Sequence, residues 1–228
     1  EQNAHGKVYP ASTTKVMTCL LTLESIARGE HQLDEVVTVG DQVNYGIGAD
    51  GSTAGIKAGE QLTIHDLLGA ALIPSANEAC NAMAQLVAGD VEKFVDLMNQ
   101  RAQELGMNDT HFANPHGYHD PDHYTSAYDI YLMAHEAMKD PTFRELVSSV
   151  DYKIPATNLS EARTLHSTNG LVSTWRVRDY WYEYATGIKT GSTPEAGHCL
   201  VSSATKNDRN LIAVVMGAAN YTENKDVN

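Results

Sequence analysis

Apolar residues at positions 16, 17, 20, 21, 23 and 26 recur at helical spacing and fit one broad face better than strand alternation. Pro10 before them and Gly29 after them bound a helix expected to start at Ser12. A second helical pattern opens at Thr63-Ile64-His65-Asp66, an N-cap threonine with an acid three residues on. Leu67, Leu68, Ala71 and Leu72 continue it, and Pro74 breaks it. The pattern resumes from Ala76 to Val87, with Ala79, Met83 and Leu86 on one side. Near the end the character changes. Residues 180–190 are rich in aromatic and β-branched types, 191–197 are turn-rich, and 199–205 read as a second strand. Lys206-Asn207-Asp208-Arg209 predicts a tight connection to a third strand at 211–216, which makes an antiparallel meander.

Three short strings stand at marked places in this pattern. Ser12-Thr13-Thr14-Lys15 opens the first helix, so Ser12 and Lys15, three apart, share a face. The helix start supplies free backbone N–H groups and a positive dipole end, which suit an anionic oxygen beside Ser12. Ser75-Ala76-Asn77 falls at the junction between two helices, where Ser75 offers a hydroxyl and Asn77 an amide to a cleft. Ser75 is also placed to cap the following helix. Lys189-Thr190-Gly191 ends the first strand with a cation, a hydroxyl and a glycine that leaves room for a substrate backbone. Taken singly, each string has a plain structural reading: Ser12 an N-cap, Lys15 a solvated side chain, Lys189 a lysine guarding a sheet edge. Together, in order and each in its context, they form the Ser-x-x-Lys, Ser-x-Asn, Lys-Thr-Gly set of penicillin-interacting serine acyltransferases.

The chain closely resembles the serine D-alanyl-D-alanine carboxypeptidases, the low-molecular-mass penicillin-binding proteins of peptidase S11 type. The resemblance runs through Pro10–Thr18, Leu72–Ala79, Ala185–Thr193 and Ala196-Gly197. Phe112–Gly117 and His123–Asp129 match family segments expected to lie outside the active site. The resemblance implies an α/β (α+β) fold of the serine β-lactamase/DD-peptidase kind, an antiparallel sheet with packed helices plus a largely helical lobe. It implies one catalytic domain over residues 1–228, with the helical lobe at roughly 30–150 and the sheet at roughly 180–220. Against the family pattern the chain reads as a fragment lacking two N-terminal strands and a C-terminal helix. A signal peptide, a C-terminal β-rich domain and an amphipathic anchor are not found either. The strand at 211–216 should then be an open edge, ready to pair with another chain.

Composition narrows the classes. The 228 residues carry a net charge of −13, which argues against a nucleic-acid partner and makes local cations at Lys15 and Lys189 more necessary. The hydrophobic fraction of 42% suffices for a core, and no apolar run reaches membrane-spanning length. Cys19, Cys80 and Cys199 sit in apolar stretches without metal-ligand spacing and read as free buried thiols. His111, His116, His119 and His123, with Asp120 and Asp122, lie in a loop containing Pro115, Gly117 and Pro121; their irregular spacing argues against a metal, and no cofactor is expected.

The mechanism implied has Ser12 as nucleophile, with Lys15 taking its proton in the neutral form. Lys189 nearby is expected to lower the Lys15 pKa by like-charge repulsion. Ser75 relays protons to the leaving D-alanine, and Asn77 positions the substrate amide and Lys15. Lys189 and Thr190, with Gly191 and Ser192 beside them, bind the terminal carboxylate of a D-Ala-D-Ala stem peptide. By resemblance the oxyanion hole is built from the backbone N–H groups of Ser12 and Ser192. β-Lactams should acylate Ser12 in the same way. A serine β-lactamase fits less well, because Ala76 stands where such enzymes usually have Asp and no clear Glu-containing deacylation loop is found. A DD-endopeptidase or transpeptidase would use the same residues, and a non-catalytic penicillin- or muropeptide-binding module is the reading from another class. The full-length protein is expected outside the cytoplasmic membrane, secreted or on its outer face, with anchoring left open.

Overall fold

The computed structural model describes residues 2–175 and 178–219. A short 3-10 turn, Ala11–Thr14, leads into helix α1, Lys15–Ala27, so the regular helix starts at Lys15 and Ser12 rides on the turn before it. Ser12 is not the N-cap of either segment, since those positions fall to Pro10 and Thr14. Nor does α1 show the single apolar face its sequence pattern suggests. From Lys15 to Leu23 every residue is buried, because helices and sheet enclose it. The hydroxyls on its would-be polar side are satisfied internally. Thr18 donates to Pro115 O at 2.5 Å and Thr22 to Thr18 O at 2.9 Å.

The helical portion follows. Strands β1 (Val36–Thr38) and β2 (Gln61–Thr63) form a two-stranded antiparallel sheet, and β2 runs directly into α2, Ile64–Leu72. The predicted capping box is present, Thr63 accepting from Asp66 N while Asp66 accepts from Thr63 N. Helix α2 ends just ahead of Pro74, and α3, Asn77–Ala88, starts after the joint of residues 73–76, in which Ser75 has φ +74°. Asn77 N donates to Ser52 O at 2.9 Å, tying the start of α3 to the preceding loop. Helices α4 (Val91–Glu104), α5 (Ala127–Ala137) and α6 (Pro141–Ser148) are capped by Asp90, Ser126 and Asp140. A second two-stranded sheet pairs β3 (Asp151–Ile154) with β4 (Arg163–His166).

The antiparallel meander is three strands in the order β5-β6-β7: Ala185–Thr193, Gly197–Lys206 and Arg209–Ala218. The first differs from its expectation at both ends. Arg178–Tyr180 forms a 3-10 turn, and pairing continues through Thr193, so Gly191 and Ser192 belong to the strand, not to a loop. Between β6 and β7, Asn207 and Asp208 both have positive φ, +50° and +59°, as a two-residue hairpin of the I′ kind requires. Helices α5 and α6 cover one face of the sheet. On the other, Leu211 and Val215 of β7 point outward. Val8 bridges Thr125 instead of pairing with β7. The fold is therefore a mixture of helices and antiparallel sheets, and no helix among the described residues is long and apolar enough to cross a membrane.

Candidate active site

The sheet, the 3-10 turn and the α2–α3 joint converge on one cleft of about 760 Å³, lined among others by Ser12, Ser75, Thr190, Gly191 and Ser192. A smaller hollow of about 280 Å³ on the other side of Ser12 is bordered by Asn77, Ser192 and the loop around Gly51. Members of all three sequence strings thus share the walls around Ser12.

At the centre is Lys15, wholly buried. Its ammonium donates to Ser12 Oγ at 2.8 Å, Asn77 Oδ1 at 2.7 Å and the carbonyl of His116 at 2.6 Å. Three donors meet three acceptors, so the burial is tolerated. Burial nevertheless lowers the Lys15 pKa from 10.5 to about 8. Desolvation is the leading cause, where repulsion from Lys189 was expected. Among the groups pulling it back up is Glu78, the residue after Asn77.

Lys189 is also buried, on β5, and donates to Thr190 O at 3.0 Å. The reading of an exposed edge lysine does not survive that burial. Lys15 and Lys189 both act electrostatically on the thiols of Cys19 and Cys80, which places the two ammonium groups around one buried patch. All three cysteines are free and buried. Burial pushes Cys80 up to about 12 and Cys19 well above the ordinary range, so both are unreactive thiols.

Gly191 also serves the packing of the site. A Cβ there would lie 2.9 Å from Ser12 N and 3.1 Å from Thr13 N, so its bare backbone lets β5 press against the nucleophile turn. Ser75 departs from the capping role expected of it. It does not cap α3, whose N-cap position is Ala76. Its buried Oγ has no partner among the described residues and lies at the cleft.

Sequence reading set the 112–117 segment outside the site, yet His116 supplies a carbonyl to Lys15. A backbone carbonyl leaves no residue-type signal, since every residue has one. Gly117 shows why the segment approaches so closely: a Cβ there would stand 1.9 Å from Ala11 O. The ring of His123 packs under the same turn and that of His116 is buried beside it; burial lowers both to about 3, so both are neutral imidazoles. Among the described residues no three His, Cys, Asp or Glu side chains converge to hold a metal ion. Thr168, not singled out by sequence, places its Oγ1 2.6 Å from that of Thr190.

This architecture is that of the DD-peptidases. Solved structures of the Streptomyces K15 DD-transpeptidase superpose with a TM-score of 0.84 at 31% identity, covering 95% of this chain and 84% of that one. Penicillin-binding protein 6B from Escherichia coli gives 0.84 at 32%, covering 96% and 67%. The sequence model of the D-alanyl-D-alanine carboxypeptidase family matches residues 1–220. The D-alanyl-D-alanine carboxypeptidase DacF of Bacillus subtilis is 34% identical over 222 residues, 97% of this chain and 54% of its own length. The corresponding enzyme of Streptomyces sp. strain K15 is 33% identical over 91% of this chain and 72% of its own. The chain belongs to the D-alanyl-D-alanine carboxypeptidase family, and spans about half the length of most of the curated relatives it matches.

Proposed function

We propose that this chain is the catalytic domain of a serine D-Ala-D-Ala carboxypeptidase that removes the terminal D-alanine from peptidoglycan stem pentapeptides through an acyl-enzyme on Ser12. The observation that carries the reading is the bond of 2.8 Å between Lys15 Nζ and Ser12 Oγ. Two of the three Lys15 partners, Asn77 Oδ1 and His116 O, can only accept. When Lys15 loses a proton it keeps those two bonds, and its lone pair is left facing the third partner. Ser12 is the one group there able to reverse and donate. Deprotonation therefore aims the base at the nucleophile without moving a heavy atom.

Attack by Ser12 Oγ on the penultimate D-Ala carbonyl transfers its proton to Lys15. The oxyanion is held by the backbone N–H groups of Ser12 and Ser192. Ser75 returns a proton to the leaving amine; its buried Oγ, unpartnered and in a strained φ, is suited to a group whose partner arrives with the substrate. Asn77 positions the substrate amide while holding Lys15. Lys189 draws in the terminal carboxylate through its charge, and Thr190, at the cleft surface with Gly191 and Ser192, contacts it. Water then cleaves the ester. A β-lactam would form the same ester. Such a substrate places the protein outside the cytoplasmic membrane.

A second reading is favoured by the DD-transpeptidase named among the structural relatives: transfer of the acyl group to an amine in place of water. Incubation with fluorescent penicillin, then with diacetyl-Lys-D-Ala-D-Ala with and without a free amine acceptor, separates these. Labelling that maps to Ser12 and release of D-alanine are expected. No label at Ser12 would remove the acyl-enzyme reading, and a transpeptidated product exceeding hydrolysis would favour the second.

A further inference from the structure

The Thr168–Thr190 contact has a direction built into it. The two Oγ1 atoms are 2.6 Å apart, and neither hydroxyl has another partner among the described residues. Both line the cleft that holds Ser12. A threonine hydroxyl has one proton, so only one of the two can lie between the oxygens. If Thr190 donates to Thr168, Thr190 turns bare lone pairs toward the cleft and repels an anion. If Thr168 donates, the Thr190 proton is free to point outward.

We propose that Thr168 is a positioning residue for carboxylate recognition: it donates to Thr190 and so commits the Thr190 hydroxyl to donate into the cleft. A terminal carboxylate is an acceptor only, so it selects this direction. The relay then reads Thr168 O–H to Thr190 O to carboxylate, each bond polarising the next. Thr168 is held for the task by its backbone, since Thr168 N donates to Ile73 O at 3.2 Å, just ahead of the joint carrying Ser75. The relay thereby links the β5 wall to the α2–α3 wall across the cleft. The inference rests on the reading of Thr190 as a carboxylate contact.

The test compares acylation of Ser12 by benzylpenicillin, which bears a carboxylate, and by its methyl ester, which does not. The ratio of the two rates is taken within each variant, so a loss of active protein cancels. Thr168→Val should lower the acid-to-ester ratio about fivefold, the scale of one hydroxyl–hydroxyl bond. Thr168→Ala serves the same purpose if the valine variant does not fold, and Thr168→Ser should restore the ratio. Thr190→Val should lower it by about tenfold or more, the scale of a bond to a charged group. Adding Thr168→Val to Thr190→Val should change it no further, because the relay is already cut. An unchanged ratio in both Thr168→Val and Thr168→Ala overturns the proposal, as does an additive double variant. Ser12 that reacts with neither ligand in the unaltered chain would instead defeat the acyl-enzyme reading.

Discussion

His123 Nε2 lies 2.7 Å from Thr14 Oγ1, and this bond anchors the turn that carries Ser12. Its direction follows from the other ring nitrogen. Nδ1 accepts from Ala113 N at 3.0 Å, so the proton sits on Nε2 and is donated to Thr14. Thr14 in turn donates to Ala11 O at 2.8 Å, and Ala11 holds φ +47°, an uncommon angle for alanine. A buried imidazole thus fixes the residue before the nucleophile. His123→Ala should destabilise the chain by about 2 kcal/mol or more, through the cavity and two orphaned partners. It should also slow penicillin acylation even where the protein remains folded. Normal acylation in a folded variant would detach His123 from the turn.

The same histidine makes the fold acid-sensitive. Burial takes His123 from 6.5 to about 3. A folded-state value below the unfolded one means the unfolded chain binds the proton first. The stabilisation is therefore complete above pH 6.5 and is lost as pH falls from about 6.5 toward 3. Urea midpoints across that range should fall less steeply for His123→Gln than for the unaltered chain. Parallel slopes would show that the ring is already charged.

Lys15 sets the expected pH dependence of acylation. The neutral amine is the base, and its pKa is about 8. The rate of Ser12 acylation should rise roughly tenfold per pH unit below that value and level off above it. Lys15→Ala should cost ~10²-fold or more. Lys15→Arg keeps the cation but cannot release a proton at these pH values, so it should be as inactive as the alanine variant. A rate flat from pH 6 to 9 would point to a different base.

Glu78 is a second lever on that profile. Its buried Oε1 accepts from Thr53 Oγ1 at 2.7 Å, Ala54 N at 2.7 Å and Ile56 N at 3.3 Å, clamping the segment beside the cleft loop. Its charge also favours the ammonium form of Lys15. Glu78→Gln should shift the acylation profile to lower pH while reducing thermal stability, because an amide cannot match the carboxylate as acceptor for all three bonds. A lower melting temperature with an unmoved pH profile would leave the clamp and remove the electrostatic role.

What sequence made legible was the chemistry borne by side chains, together with the periodicity of long elements. Ser12, Lys15, Asn77 and Thr190 stand out because their residue types recur in a fixed order, and the cap at Thr63 because capping is local. The misses are the parts residue type does not encode. The His116 carbonyl is backbone. Residue type suggests a capping role for Ser75, but α3 begins one residue later, with Ala76 at its N-cap, and Ser75 takes a φ of +74° that its type does not announce. Spacing suggests a charged partner for Lys15, whereas the burial that lowers its pKa is a property of the folded packing around α1. Thr168 lies 22 positions from Thr190 and meets it only through the tertiary fold.

Ser75 carries a test of strain kept for function. Ser75→Gly accepts the left-handed backbone and removes a buried hydroxyl without a partner, so it should raise stability by about 0.5–1 kcal/mol. D-Alanine release should fall sharply, since the proton relay is gone. Ser75→Ala removes the same hydroxyl but keeps the backbone strain, so it should gain less stability than the glycine variant, with the same loss of turnover. Thermal melts alongside the D-alanine assay check both, and a glycine variant that turns over normally would release Ser75 from the relay.

The last prediction concerns β7. Among the described residues it pairs with β6 on one side only, and its outward residues Leu211 and Val215 are 68% and 54% exposed. An apolar strand with unpaired N–H and C=O groups along one side is a template for another strand. This chain should therefore associate as its concentration rises, through β7. Leu211→Lys with Val215→Lys adds charge to the exposed face and raises the cost of bringing two copies together, without touching Ile212, Val214 and Met216, which pack inward. Sedimentation velocity over a range of concentrations should show oligomers in the unaltered chain and a larger monomer fraction in the double variant. A monomer at all concentrations in the unaltered chain would show that β7 is protected by its own twist and by the bulge near Gly217.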